Sequence, residues 1–184
     1  MGGSVREALI DATVVLAHRR GAQSLTLAAA ADEAGLSREI AREAFETEHE
    51  LLVATLGSLV DEWTRLTEPE PGADPVEALR TSVRVMFEPP MCTPERVATW
   101  LSMWSLASGD PELRALRERA HRSWADQFAR SLDAAGVEHA DEHAIAVLAM
   151  ADGLWLRHFL EPASLPLDAA LRSAMGVVDL LLAR

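Results

Sequence analysis

The chain has 184 residues, 49% of them hydrophobic and 25% charged, with a formal net charge of −12 at pH 7. That is enough apolar chain for one core of ordinary size, and it excludes a wholly disordered or collagen-like polypeptide. The acidic balance, with 17 cations that are all arginine, excludes a protein coated in positive potential and disfavours docking on anionic membranes, so a nucleic-acid surface has to be a local one.

The periodicity is helical nearly throughout, and the breaks fall at Gly and Pro. A first helix is predicted over Val5 to Arg20, with Leu9, Thr13, Leu16 and Ala17 on its apolar face and Gly21 as its stop. Thr26 caps a short Ala-rich helix that ends at Ala34-Gly35, and Ser37 caps another from about Arg38 to Ala44. Thr47-Glu48-His49-Glu50 reads as a capping box that opens a longer helix to about Leu66. A Pro/Gly/acid linker, Thr67 to Pro75, leads to helices over Val76 to Phe87, about Glu95 to Ala107, and Pro111 to about Ala135. Two strongly apolar helices close the chain, from about Asp141 to Leu160 and from Pro166 to Ala183. The expectation is an all-α protein of about nine helices. It divides into a helix-turn-helix domain over residues 1–47 and a ligand-binding and dimerisation domain over residues 48–184.

The densest signal lies at residues 26–45. Two short helices meet at Ala34-Gly35-Leu36-Ser37, a tight turn with Gly where the first helix stops and Ser where the next begins. A helix-turn-helix has this layout, and its second helix enters a major groove. A plain helical corner has it too. The wider stretch REALIDATVVLAHRRGAQSLTLAAAADEAGLSREIAREAFETEHELL resembles the N-terminal domain of TetR-family transcriptional regulators, through Ala12, Leu16, Gly21, Thr26, Ala31, Ala34 to Ser37, Phe45 and Leu51. TWLSMWSLASGDPELRALRERAHRSW, with the later MADGLWLRHFL, is similar to the BetI-type C-terminal domain of the same family. The resemblance implies a three-helix DNA-binding domain, a ligand pocket among the middle helices and a homodimer through the last two. A small molecule would release such a protein from its operator.

The departures from the family bear on DNA. Its recognition helix usually carries a Tyr, then a His or Tyr, then Phe, and a Lys three residues later; here Arg42, Ala44, Phe45 and Glu48 stand in those places, and Ala30 replaces a usual Ile. From Leu36 to Glu50, two arginines face five glutamates, a net of −3 on the segment that would meet a polyanion. Thr26, Ser37, Arg38 and Arg42 are therefore the candidate DNA contacts, weakened by their acidic surroundings. Thr26 also serves as a plain helix cap. Two functions follow: a ligand-responsive regulator, a repressor in the usual mode, that binds operator DNA as a homodimer, or a protein of the same fold that has lost DNA binding and keeps a small-molecule site, as a binding protein or an enzyme.

In the C-terminal part, large rings and thioethers recur at helical spacings. Met86, Phe87, Met91, Trp100, Met103, Trp104, His121, Trp124, Phe128, Asp152 and Trp155 are the candidate lining of a site for a small apolar or aromatic ligand. A packed core uses the same residues. His121 and Asp152 are polar on apolar faces; they would be a ligand handle, the acid/base pair of an enzyme, or structural groups held by hydrogen bonds. His139 and His143 sit four residues apart across a loop-to-helix junction without the order of a zinc-binding helix. No metal, cofactor or covalent nucleophile motif is expected. Cys92 is alone, so it forms no internal disulfide, and a reducing cytoplasm is the expected location. Met1 to Glu7 has no apolar signal segment, and the run Ala144 to Leu156 contains Asp152 and is too short to span a bilayer.

Overall fold

Ser4 and Glu7 open the first helix reciprocally: the Glu7 amide donates to Ser4 Oγ at 3.2 Å and the Ser4 amide to Glu7 Oε2 at 2.6 Å. In the computed structural model, which describes residues 4–183, the chain is all-α. Met1–Gly3 and Arg184, the outer ends of the two expected domains, lie outside the described residues. The helices are α1 (Val5–Arg20), α2 (Leu27–Ala34), α3 (Arg38–Ala44), α4 (Glu48–Thr67), α5 (Pro75–Val85), α6 (Pro94–Ala107), α7 (Pro111–Ala134), α8 (Ala140–Leu160) and α9 (Leu167–Leu182). A 3₁₀ turn at Ala22–Ser24, which the sequence did not announce, carries the chain from α1 to α2.

One boundary and one cap differ from the periodicity for physical reasons. Helix α5 stops at Val85 instead of Phe87 because its last turn tightens: the amides of Met86, Phe87 and Glu88 bond three residues back, to Val83, Arg84 and Val85, just ahead of Pro89 and Pro90. At the start of α4 only half of the expected capping box forms. The Glu50 amide donates to Thr47 Oγ1 at 3.1 Å, but the Glu50 carboxylate turns elsewhere, accepting from the Glu46 amide at 2.9 Å and from Arg6 Nη1 at 2.9 Å. A guanidinium makes a stronger partner than the Thr47 amide.

The chain forms two units. The first comprises the residues up to Glu62 with Pro94–Glu118. Its α1 packs on α2, α3 and α6. Leu9, Leu16, Phe45, Leu51 and Leu56 are buried there, and the fully buried Ala30, Ala31 and Ala41 let the short helices approach closely. Thr99 on α6 donates its hydroxyl to the Glu95 carbonyl at 2.7 Å and reaches the Val14 carbonyl of α1 at 3.4 Å.

The second unit comprises Trp63–Thr93 with the residues from Arg119 onward. Here α9 packs on α5 and α8. Ala144, Val147, Leu148, Ala151 and Trp155 make one buried stripe on α8, and Ala170, Ala174 and Val178 make the matching stripe on α9. Arg80 on α5 grips Asp179 on α9, Nη2 to Oδ1, at 2.8 Å. Ile145, Leu160, Val177 and Leu180 stay exposed on the outer faces of α8 and α9.

Candidate functional site

The α2–α3 corner is built by its caps. Gly35 adopts φ 68° and ψ 27°, the left-handed region that costs other residues, so glycine is required where α2 turns. The Leu36 amide reaches back to the Ala31 carbonyl at 2.9 Å and the Gly35 amide to Asp32 at 3.3 Å, the paired closure of a Schellman motif. Thr26 Oγ1 accepts from the Ala29 amide at 3.1 Å and Ser37 Oγ from the Ile40 amide at 3.2 Å. Each of these two residues sits in extended backbone at a helix N-terminus, where amides and dipole favour an anion.

Helix α3 presents Arg38 and Arg42 one turn apart on one exposed stripe. Arg38 makes only a loose pair with Asp32, at 3.7 Å, with both side chains mostly in solvent. Both arginines, with Leu27, Ala28 and Ala41, border a depression of about 70 Å³ between α2 and α3. Glu39, Glu43, Glu46 and Glu48 are exposed on the same segment, so its acidic charge is a solvated one.

The far end of α3 is braced by residues far apart in sequence. The Arg6 guanidinium lies 3.9 Å from the centroid of the fully buried Phe45 ring. Its Nη1 donates to the Ala44 carbonyl at the end of α3 and to Glu50. The neighbouring His49 ring stands between two carboxylates, Nδ1 at 3.1 Å from Asp110 Oδ2 and Nε2 at 2.9 Å from Glu112 Oε2. Hydrogen bonding to Glu112, then the charge of Asp110, raises the His49 pKa above its ordinary 6.5 against the cost of burial.

The candidate ligand residues are divided between the units. Trp100, Met103 and Trp104 belong to the first. Trp100 and Met103 are buried, and the half-buried Trp104 has the Arg117 guanidinium 5.1 Å from its ring centroid. The second unit holds the other eight. Met86, Phe87, Met91, Trp124, Phe128 and Trp155 are buried, and His121 and Asp152 are half-buried. Around Trp124 the second unit gathers a small aromatic group. His121 is 5.1 Å away between ring centroids and Trp63 is 4.8 Å away, while Trp124 Nε1 donates to Thr64 Oγ1 at 3.1 Å. Trp63 was overlooked in the sequence, although Leu52, Leu56, Leu59 and Trp63 repeat at intervals of three and four. Burial pushes the Cys92 thiol up to about 11, which leaves it a poor nucleophile at neutral pH.

The roomier clefts lie elsewhere in the second unit. One of about 610 Å³ is open and polar, bordered by Asp126, Arg130, Asp133, Asp141 and Glu142. Another, of about 280 Å³, runs beside Thr67 and Ser82, where the Thr67 carbonyl accepts from the Ser82 hydroxyl at 2.7 Å and from the Gln127 amide. His139 precedes α8 with φ 55°, so it does not share a helical face with His143.

The model for the C-terminal domain of BetI-type transcriptional repressors matches residues 75–183. The HTH-type transcriptional regulator BetI of Burkholderia cenocepacia (strain HI2424) is 35% identical over 185 residues, 97% of this chain and 94% of the relative. The regulator of the same name from Paraburkholderia phymatum is 34% identical and covers 97% and 93%. Among solved structures, a transcriptional regulator from Rhodococcus sp. Rha1 superposes with a TM-score of 0.87 at 24% identity, covering 97% of this chain and 96% of that one. A protein from Saccharomonospora viridis, described as a transcriptional regulator in complex with choline, gives 0.80 at 21% identity over 95% of each chain. A relation that runs through both the helix-turn-helix and the C-terminal helices makes this chain a member of the TetR family of transcriptional regulators, with a BetI-type C-terminal domain.

Proposed function

We propose that the chain is a cytoplasmic, ligand-released repressor that grips operator DNA as a homodimer. The observation that carries this reading is the capped α2–α3 corner, which leaves Arg38 and Arg42 exposed side by side. Residues 1–47 form the DNA-reading part and residues 48–184 the ligand and dimer part. Thr26 and Ser37 meet phosphates at their helix N-termini; Arg38 and Arg42 reach a base edge or phosphate. The exposed apolar faces of α8 and α9 pair across a two-fold axis in a four-helix interface. The ligand is a small molecule with an apolar or aromatic face. A small quaternary ammonium is a second candidate class, because tryptophan faces attract such cations. Choline in the S. viridis neighbour supports the onium class. Ligand entry at Trp100 and Trp104 displaces α6, and α6 lies directly on α1 of the reading head.

The test is a salt titration of binding to a fluorescent duplex from upstream of the protein's own gene. Glu48→Lys is expected to tighten binding to many sequences alike and to steepen the salt slope by about 0.9, the value of one added phosphate contact. Wild type that binds no duplex at low salt, beside a Glu48→Lys variant that does, would overturn the reading.

A further inference from the structure

His49 sits one residue into α4, five residues beyond the end of the recognition helix, and its two ring nitrogens both face carboxylates from the α6–α7 corner. A carboxylate only accepts, and a neutral imidazole donates from one nitrogen alone. Only the imidazolium satisfies both contacts. We infer that protonated His49 is a clamp that holds the exit of the recognition helix against the α6–α7 corner, and that DNA binding is thereby coupled to a proton on His49. The second half of this inference rests on the DNA-binding function proposed above.

One of the two partners is anchored by its own helix. Asp110 is the N-terminal cap of α7: its Oδ1 accepts from the amides of Glu112 at 2.9 Å and Leu113 at 3.0 Å, leaving Oδ2 for His49. Bonding from the Leu113 amide, and then the charge of His49, holds the Asp110 carboxyl below its ordinary range, so it stays ionised throughout the interval in which His49 titrates. Arg114, the nearest cation on α7, is engaged with the carbonyls of Ala107 and Ser108. On α4 the neighbouring charges are Glu48, exposed, and Glu50, held by Arg6 of α1. The charges that act on the ring are thus the two carboxylates of the α6–α7 corner.

The sign follows. A histidine whose folded pKa is raised contributes its stabilisation below about 6.5, and that contribution is lost as pH rises through the higher folded value. Loss of the proton turns one ring lone pair against a carboxylate and removes a positive charge from the acidic segment that follows α3. Both effects weaken the hold on a polyanion. A DNA phosphate array raises the His49 pKa further, so binding takes up a fraction of a proton.

The experiment measures anisotropy of the upstream duplex with the full-length protein at constant salt from about pH 6 to 8.5. In parallel, NMR of the histidine ring protons in the free protein follows His49, assigned through His49→Gln. The free ring is expected to titrate above 6.5 and to fall back toward it in Glu112→Gln. Wild-type affinity is expected to drop about tenfold across the range, one pKa unit of linkage, while His49→Gln stays nearly flat. A flat wild type, or an equal drop in His49→Gln, overturns the inference and leaves DNA binding intact. An unshifted His49 midpoint overturns the clamp itself. Absence of binding at every pH in both proteins overturns the DNA reading, and the proton coupling falls with it.

Discussion

Replacing Phe45 with alanine is expected to destabilise the first unit by about 3–5 kcal/mol. The ring is fully buried at the end of α3 and carries the Arg6 guanidinium on its face. Truncation leaves a cavity and removes the surface on which Arg6 rests, and the bonds from Arg6 to the Ala44 carbonyl and to Glu50 then lose their orientation. A whole domain has a margin of about 5–15 kcal/mol, so most of the helix-turn-helix stability is at stake. Urea unfolding followed by far-UV circular dichroism measures it. Phe45→Leu keeps much of the volume and is expected to lose far less, about 1.5 kcal/mol. A loss below about 1 kcal/mol for Phe45→Ala would mean that this ring does not hold the corner together.

Leu180→Glu is expected to turn a dimer into a monomer at micromolar concentration. Leu180 is 69% exposed on α9, one turn from the exposed Val177, and Ile145 on α8 is 61% exposed. The proposed two-fold interface buries them. Each leucine removed forgoes about 1.5–3 kcal/mol of burial, and symmetry counts it twice, giving about 3–6 kcal/mol. That corresponds to a dissociation constant weakened roughly 10²–10⁴-fold. Sedimentation equilibrium reads the change directly, with circular dichroism showing that the helices persist. An unchanged mass for Leu180→Glu would place the interface on another surface.

Most of the fold was legible in the sequence because its helices announce their own ends. Val5–Arg20, Leu27–Ala34 and Arg38–Ala44 follow from Gly21, Thr26, Gly35 and Ser37, whose roles are local. Where a cap or a boundary differs, a tertiary or terminal effect intervenes: Arg6 takes the Glu50 carboxylate from the capping box, and a tightened turn ends α5 early. Of the candidate site, the sequence carries residue types and not contacts. Arg38 and Arg42 are candidates as the two cations of the segment after the turn. The brace of Arg6 on Ala44 and Glu50, and the clamp of His49 on Asp110 and Glu112, join positions 38 to 63 residues apart. Neither leaves a periodic trace.

Whether the α2–α3 surface holds DNA is tested most directly by a footprint of the upstream region with wild type and Arg42→Ala. Wild type is expected to protect two symmetric half-sites about 10–10.5 base pairs apart or a multiple of that, as a two-fold pair of recognition helices requires. Arg42→Ala is expected to need more protein for the same protection, by about 1–3 kcal/mol if the guanidinium is bidentate to a base. No protection by wild type, or protection that Arg42→Ala leaves unchanged, would contradict the account.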